Sequence, residues 1–344
     1  MDMITLLNTI RSNASTTYQE RVPVATQTNI DTIGAIMLGD DPMVANEFMT
    51  TLLNKIVKSV LINKSFQNPL KALKKGTKPL GDTVEEIYNN FIKGEAFDGT
   101  GDTTALMGRK LPDTKTVYHR MNRRDKYTIT VSPERLQKAF VSYDALSSYV
   151  ANLINVLYNS SELDEFILTK QLIKTALDKN AVQVVEIEDP LTSKENAQEF
   201  IKAVKTVSGL MVFPSDAHNG YLTAQKKDTK PIVTFSKKNE QVLILDTATD
   251  VTVSVDVLAS IFNMSVAEFN DTKKIVIDSF PDPSIRCALV DEQFFQIFDD
   301  AMFIKAFENG ESVYTNYFLH VWQTMAYSIL VNAVVFKVKE DTGA

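Results

Sequence analysis

Cysteine is almost missing: Cys287 is the only one in 344 residues, so no disulfide can form within the chain, and the usage suits a reducing compartment. That thiol sits in the apolar run SIRCALV, where a small buried core residue is the expected role. Histidine is scarce as well. His119, His218 and His320 stand far apart with no metal-ligand spacing, which leaves the usual zinc and His-based catalytic patterns without a basis; no catalytic, cofactor-binding or metal-binding residue is assigned. His119 lies among arginines, and His320 lies in an aromatic segment that suits a packed histidine. Long apolar runs are missing too. The longest late stretch, VWQTMAYSILVNAVVF, is interrupted by Gln323, Thr324, Ser328 and Asn332 and falls short of the ~20 residues of a membrane-spanning helix. The opening MDMITLLNTI carries Asp2 and no basic flank, against a secretory signal. A soluble protein, not exported by itself and without membrane contact, is expected. Nor is there an excess of cations: the formal net charge is −7, which argues against general nucleic-acid binding. No internal repeat or low-complexity linker interrupts the chain.

What is present is ordinary globular material, 44% hydrophobic and 23% charged, in a chain long enough for two or three lobes. Short helices are expected over residues 1–60 around a turn at GDDP. There Val44, Phe48, Leu52, Ile56 and Val60 recur every four residues, one stripe of an amphipathic helix. SPERLQKAF opens with Ser132 and Pro133 in helix-starting positions. From Asp144 to about Asn180, apolar residues at three- and four-residue spacing run without Gly or Pro, predicting a helix ~55 Å long at 1.5 Å per residue. A break near Asn159, with Ser161 capping a second helix, stays open. AVQVVEIEDP then reads as a strand and TSKENAQEFIKAVKTV as a capped helix. QVLILD, KIVIDSF and IRCALV read as strands, and VDVLASIFNM as another helix. The tail 293–338 is strand-rich and aromatic. The class is α+β.

The stretch GTKPLGDT (76–83) nearly spells a phosphate-binding loop, but Pro79 removes a backbone donor and Asp82 stands where the lysine belongs. No apolar strand precedes it. A nucleotide site is therefore rejected. Instead, the glycines and Pro79 are expected to turn a lysine-rich connector into a hairpin. Residues 82–131 read as two strand-like flanks around a glycine-rich tip, a ladder that is marginal without support.

The signs of charge in this region are segregated. Residues 71–131 hold twelve Lys/Arg against eight Asp/Glu. Lys71, Lys74, Lys75 and Lys78 come first. The acids Asp82, Glu85, Glu86, Glu95, Asp98 and Asp102 follow, and then Arg109, Lys110, Lys115, Arg120, Arg123, Arg124 and Lys126. Glu85 and Glu86 are expected on opposite faces of a strand, so they form no carboxylate dyad. Three explanations stand side by side. The two limbs pair across the hairpin at roughly 0.2–1 kcal/mol per pair, or the hairpin lies on a neighbouring copy where charge sets register, or it binds nucleic acid. The last is weakened by the acidic limb and the few interleaved aromatics.

In order along the chain, an N-terminal arm, a charged hairpin, a long helix, an α/β insertion and a strand-rich return resemble the major capsid proteins of tailed phages, the Hong Kong ninety-seven type (Johnson) fold. NPLKALKKGTKPLGDTVEEIY, VLYNSSELDEF, DVLASIFNM, ALVDEQFF, NYFLHVWQT and NAVVF are similar, in order, to stretches in capsid proteins of small short-tailed phages of the phi-twenty-nine type. The resemblance implies residues 1–81 as arm and connector and 82–131 as the E-loop hairpin. It implies 132–190 as P-domain with the spine helix, 191–292 as A-domain, and 293–344 as returning P-domain strands. Neither an immunoglobulin-like C-terminal domain nor a fused scaffold is expected, in contrast to some relatives. It further implies a non-enzymatic, self-assembling shell of pentamers and hexamers, icosahedral or prolate, around double-stranded DNA held by weak non-specific contact. A scaffolding protein, a portal protein, a virion location and assembly in the host cytoplasm go with it. Lys74, Lys75, Lys78, Asp82, Glu85, Glu86, Arg109, Arg120, Arg123 and Arg124 are the candidate inter-subunit contacts. Reversing Arg123 and Arg124 is expected to block shells while leaving the subunit folded. The alternatives are an encapsulin-like compartment shell and a metal-independent soluble α+β enzyme.

Overall fold

The computed structural model describes residues 3–37, 42–58, 66–94, 96, 111–131, 143–225, 230–253, 273–311 and 314–339. The chain opens with helices α1 (Met3–Asn13), α2 (Thr16–Arg21), α3 (Ile30–Met37) and α4 (Pro42–Lys58). In α4 the expected four-residue stripe buries Val44, Phe48 and Leu52. A short 3₁₀ turn (Pro69–Leu73), entered through Asn68, whose side chain accepts from the Leu70 amide, leads to β1 (Gly76–Thr77). Strands β2 (Val84–Asn89), β3 (Thr114–His119) and β4 (Arg123–Val131) follow, and then helix α5 (Tyr143–Asp178).

Helix α5 is continuous for 36 residues, about 54 Å at 1.5 Å per residue; there is no break at Asn159. It stops where Asn180 takes φ 54°, the left-handed conformation that ends many helices. Because it is long, α5 serves two sheets. Its first half lies under a four-stranded sheet of order β1-β9-β10-β4, where β9 is Phe295–Asn309 and β10 is Tyr314–Tyr327. Alternation in β10 turns Tyr317, Leu319 and Val321 into a core with Leu153 and Leu157 of α5 and the N-terminal helices. Its second half, through Phe166, Ile173 and Ala176, packs on a five-stranded sheet. The order there is β5 (Gln183–Ile187), β11 (Ala333–Val338), β8 (Ile285–Asp291), β6 (Gln241–Asp246) and β7 (Lys273–Ile277).

The other face of that sheet is covered by α6 (Lys194–Leu210), capped by Ser193, whose hydroxyl accepts from the Asn196 amide, with Phe200, Ile201 and Val204 buried. Each such side chain contributes about 1.5–3 kcal/mol. Burial on both faces explains why QVLILD is a continuous apolar run rather than an alternating one. Cys287 is fully buried in this core, and burial pushes its thiol pKa up; it is a packing residue, as expected.

One expectation changes, and a second strand pairs away from its neighbours in sequence. The hairpin ladder ends at His119, because β4 pairs not with β2 but with β10, from Arg123↔Gln323 to Val131↔Thr315. The alternating pattern of RRDKYTITV fits any half-buried strand and does not name its partner. Likewise β11 does not return to the four-stranded sheet with β9 and β10. It inserts between β5 and β8, where its apolar residues find cover on both faces. The expected GDDP turn (apart from Pro42), the capped SPERLQKAF helix, the VDVLASIFNM helix, Arg109 and most of the hairpin tip lie outside the described residues.

Candidate subunit interface: the charged connector and hairpin

The connector is built as a row of lysine anchors. Gly76 (φ 122°) and Gly81 (φ 93°) take backbone conformations that L side chains rarely adopt, so the chain bends on both sides of KPL. Between these bends β1 runs parallel to β9, fixed by Lys75 N–H to the Ile297 carbonyl and Lys78 N–H to the Asp299 carbonyl, each 2.9 Å. The side chains then reach into the body. Lys71 meets Glu162 at 2.8 Å, Lys74 meets both Glu165 and Asp299 at 2.8 Å, and Lys78 meets Asp300 at 2.7 Å. Lys75 Nζ donates to the Glu292 carbonyl at 2.7 Å. Burial pulls the Lys74 pKa down, but Glu165 and Asp299 outweigh it and the net shift is upward.

Arg123 enters the same network from the other side. Its guanidinium, 4% exposed, donates to Asp125 (2.5 Å), Gln323 Oε1 (2.5 Å) and the Tyr127 hydroxyl (2.8 Å). Tyr127 donates to Asp164 at 2.6 Å, and Gln323 Nε2 donates to Glu165 at 2.5 Å and Asp299 at 2.7 Å. One polar chain therefore joins connector, α5, β9, β10 and β4; its charges are paired, although Asp300 Oδ1 meets Lys78 as an ion pair and accepts no hydrogen bond of good geometry. That satisfaction is what makes a buried charge tolerable.

Lys74, Lys78 and Arg123 thus pair within the subunit and fasten connector and sheet together, and Lys75 is anchored beside them. Glu86 is held by His119 at 2.6 Å, and Glu85 accepts from the Tyr118 hydroxyl at 2.9 Å on the opposite face. The acidic limb pairs with histidine and tyrosine rather than with the basic residues of the return limb. Asp82, Arg120 and Arg124 are exposed, and Arg124 covers the Trp322 ring at 5.3 Å. The partners that sequence reasoning did not name are Glu165, Asp299, Asp300 and Gln323. A signal existed: Gln323, Thr324, Ser328 and Asn332, the polar interruptions in the late apolar stretch, are all buried.

The hairpin itself has two unlike faces. Tyr88 and Val117 pack on Tyr221, Ile232 and Leu330. On the other side Ile87 is 59% and Tyr118 62% exposed. Among the described residues no cluster of His, Cys, Asp and Glu could hold a metal ion, and no helix is long and apolar enough to cross a membrane.

The sequence profile described as Phi29-like phage major capsid protein matches residues 7–337. The chain belongs to that family. It is 31% identical over 341 residues to the major capsid protein of Bacillus phage B103, covering 98% of this chain and 74% of that protein. It is 33% identical over 331 residues to that of Bacillus phage PZA, covering 96% and 72%. The major capsid protein of Streptococcus phage Cp-1 is 26% identical over 98% of this chain and 94% of its own length. Among solved structures, the capsid of Staphylococcus phage Andhra matches with a TM-score of 0.62 at 13% identity, over 82% of this chain and 87% of that one. The capsid of cyanophage P-SCSP1u matches with 0.55 at 8% identity, over 82% and 91%. These likenesses show the fold, the phage-capsid fold of the Hong Kong ninety-seven type. The protein is a major capsid protein of the phi29-like kind, a structural component that forms the virion shell from many copies of itself. The compartment-shell alternative falls away with that membership.

Proposed function

We propose that neighbouring subunits are joined through the β2–β3 hairpin into pentamers and hexamers, giving an icosahedral or prolate shell around double-stranded DNA. The observation that carries this is the unequal pair of hairpin faces. The open face sets Ile87 and Tyr118 beside Glu85, a mixed apolar and acidic surface. Adjacent exposed large side chains favour burial against a second copy, and complementary charge orients such a contact more than it strengthens it. Asp82, Glu85, Arg120 and Arg124 remain the charged candidates for that contact.

The element order supports residues 1–81 as arm and connector and the hairpin from 82 as E-loop. It supports 132–190 with α5 and the returning strands of 293–344 as P-domain, and 191–292 with α6, β6, β7 and β8 as A-domain. A separate scaffolding protein during assembly, a portal protein and assembly in the host cytoplasm complete the proposal, with no catalytic role. A net charge of −7 keeps contact with packaged phosphate weak and non-specific.

Electron microscopy of the full chain co-expressed with a candidate scaffold tests this. The Ile87→Arg/Tyr118→Arg double variant is expected to fold with an unchanged circular-dichroism melt and to give no closed shells. Closed shells like those of the unaltered protein would refute the hairpin as the joint.

A further inference from the structure

The packed face of the hairpin is held by more than apolar contact. Asn90, directly after β2, presents its side-chain amide to residues 231–233 as a strand would present a peptide group. Its Nδ2 donates to the Pro231 carbonyl at 2.8 Å, and its Oδ1 accepts from the Val233 amide at 3.1 Å. The Tyr88 hydroxyl donates to the Val233 carbonyl. The Phe91 ring tilts against Phe235 with centroids 6.3 Å apart. The Asn90 backbone stays in register with the other limb through its N–H to the Asp113 carbonyl, 2.9 Å.

The segment receiving these contacts is itself rigidly held. Thr234 and Ser215 exchange backbone hydrogen bonds. Asn219 Nδ2 donates to the Ile232 carbonyl at 3.0 Å, the Thr234 hydroxyl donates to Asn332 Oδ1 at 2.5 Å, and the Ser236 hydroxyl donates to Asp291 at 2.5 Å. Asn219, Thr234, Ser236, Asp291 and Asn332 are all buried. The platform is thereby tied to the end of β8 and the start of β11.

We infer that Asn90 is a positioning residue for shell assembly: with Tyr88 it clamps the hairpin to this platform and fixes the direction in which the hairpin leaves the subunit. This rests on the proposal that the hairpin joins neighbouring copies. Apolar packing against Ile232 and Leu330 supplies adhesion without direction, whereas hydrogen bonds at these distances are sensitive to angle. Without the clamp, the hairpin is held in direction only by its two chain ends, the connector and residues 120–122, with undirected apolar contact between them and the platform. An angular error at one hairpin is repeated at every copy in a closed shell. Loosening the clamp therefore alters shell size and closure while folding and association persist.

The test compares Asn90→Leu, Tyr88→Phe and Asn90→Asp in the full chain. The last keeps an acceptor for Val233 and loses the donor to Pro231. Hydrogen exchange of the unassembled subunit is read at Val233, and shells formed with a co-expressed scaffold are sized by electron microscopy. Asn90→Leu is expected to exchange the Val233 amide about tenfold faster and to give mixed diameters and open sheets, with Asn90→Asp in between. Unchanged exchange at Val233 would overturn the clamp. Faster exchange with shells of a single unaltered diameter would overturn its role in geometry. If Asn90→Leu does not fold, Asn90→Ala carries both readouts, since it too removes the acceptor of the Val233 amide; Tyr88→Phe, which removes only the hydroxyl donating to the Val233 carbonyl, is read by shell size. Normal shells from Ile87→Arg/Tyr118→Arg would overturn the inference through its premise, and the exchange data tell that failure apart from failure of the clamp.

Discussion

Lys74 and Glu165 lie 2.8 Å apart with side chains only 14% and 5% exposed, joining the hairpin's connector to the middle of α5. Replacing Lys74 by Met leaves Glu165 buried and Asp299 without its cation. A loss of about 3–5 kcal/mol is expected, the usual cost of breaking a buried pair from one side. Lys71→Ala, at a site where the lysine is 46% exposed, is expected to cost under about 1 kcal/mol. Urea denaturation of the two variants checks the contrast. Equal midpoints would mean the Lys74 contact is as weak as a surface pair.

Arg123 and Arg124 are neighbours with opposite environments, and their reversal separates folding from assembly. Arg123→Glu puts a carboxylate against Asp125 and into the chain of contacts leading to Asp164 and Glu165, so soluble folded subunit should be largely lost. Arg124→Glu alters an exposed residue over Trp322 and should melt like the unaltered protein. Loss of shells in a variant carrying both would report a broken subunit. Circular-dichroism melts of the two single variants decide the point.

Gly220 and Gly209 form a matched pair for substitution by alanine. A Cβ on Gly220 would stand 1.9 Å from the Ala181 carbonyl oxygen and 2.1 Å from its carbon. These are backbone atoms in the short connection between α5 and β5 and cannot swing aside. Gly220→Ala is expected to cost about 1–3 kcal/mol or more. At Gly209, in the last turn of α6, a Cβ meets nothing within 4 Å, and alanine should stabilise by up to about 1 kcal/mol. Thermal melts of opposite sign are the expected result.

Asp189 and Arg286 give the acid dependence. Arg286 donates through Nε at 3.0 Å and Nη2 at 2.8 Å to the two carboxylate oxygens, and this pairing holds the Asp189 pKa below its ordinary value. A depressed carboxyl stabilises the fold at pH above its unfolded pKa, near 3.9, and loses that contribution as pH falls through the lower native value. Asp189→Asn should therefore be less stable at neutral pH, with the gap closing below about pH 4. A gap that stays constant into strong acid would show that the pair contributes nothing through charge.

Much of the architecture was legible because it is local. The stripe in α4, the uninterrupted spacing of α5, the Ser193 cap and the doubly buried QVLILD each depend on residues within a few positions of one another. The same holds for the bends in GTKPLGDT, whose glycines take positive φ. Where the β2–β3 ladder ends was not legible, for a physical reason. Alternation in RRDKYTITV reports a half-buried strand but carries no information about which edge it joins.

The sequence by itself determined that this chain is an α+β protein with one long helix and a segregated run of charge. The ordered similarity of its segments also placed it with phage capsid proteins. Only the tertiary structure decided what the charges do. Lys74 meets Glu165 across 91 positions and Arg123 meets Gln323 across 200, and contacts of that span are set by how sheets and helix pack. The lysines and Arg123 turned inward because unmatched carboxylates and an amide lay buried there. The hairpin keeps Ile87 and Tyr118 outward because, among the described residues, Tyr221, Leu330 and residues 231–235 support its other face.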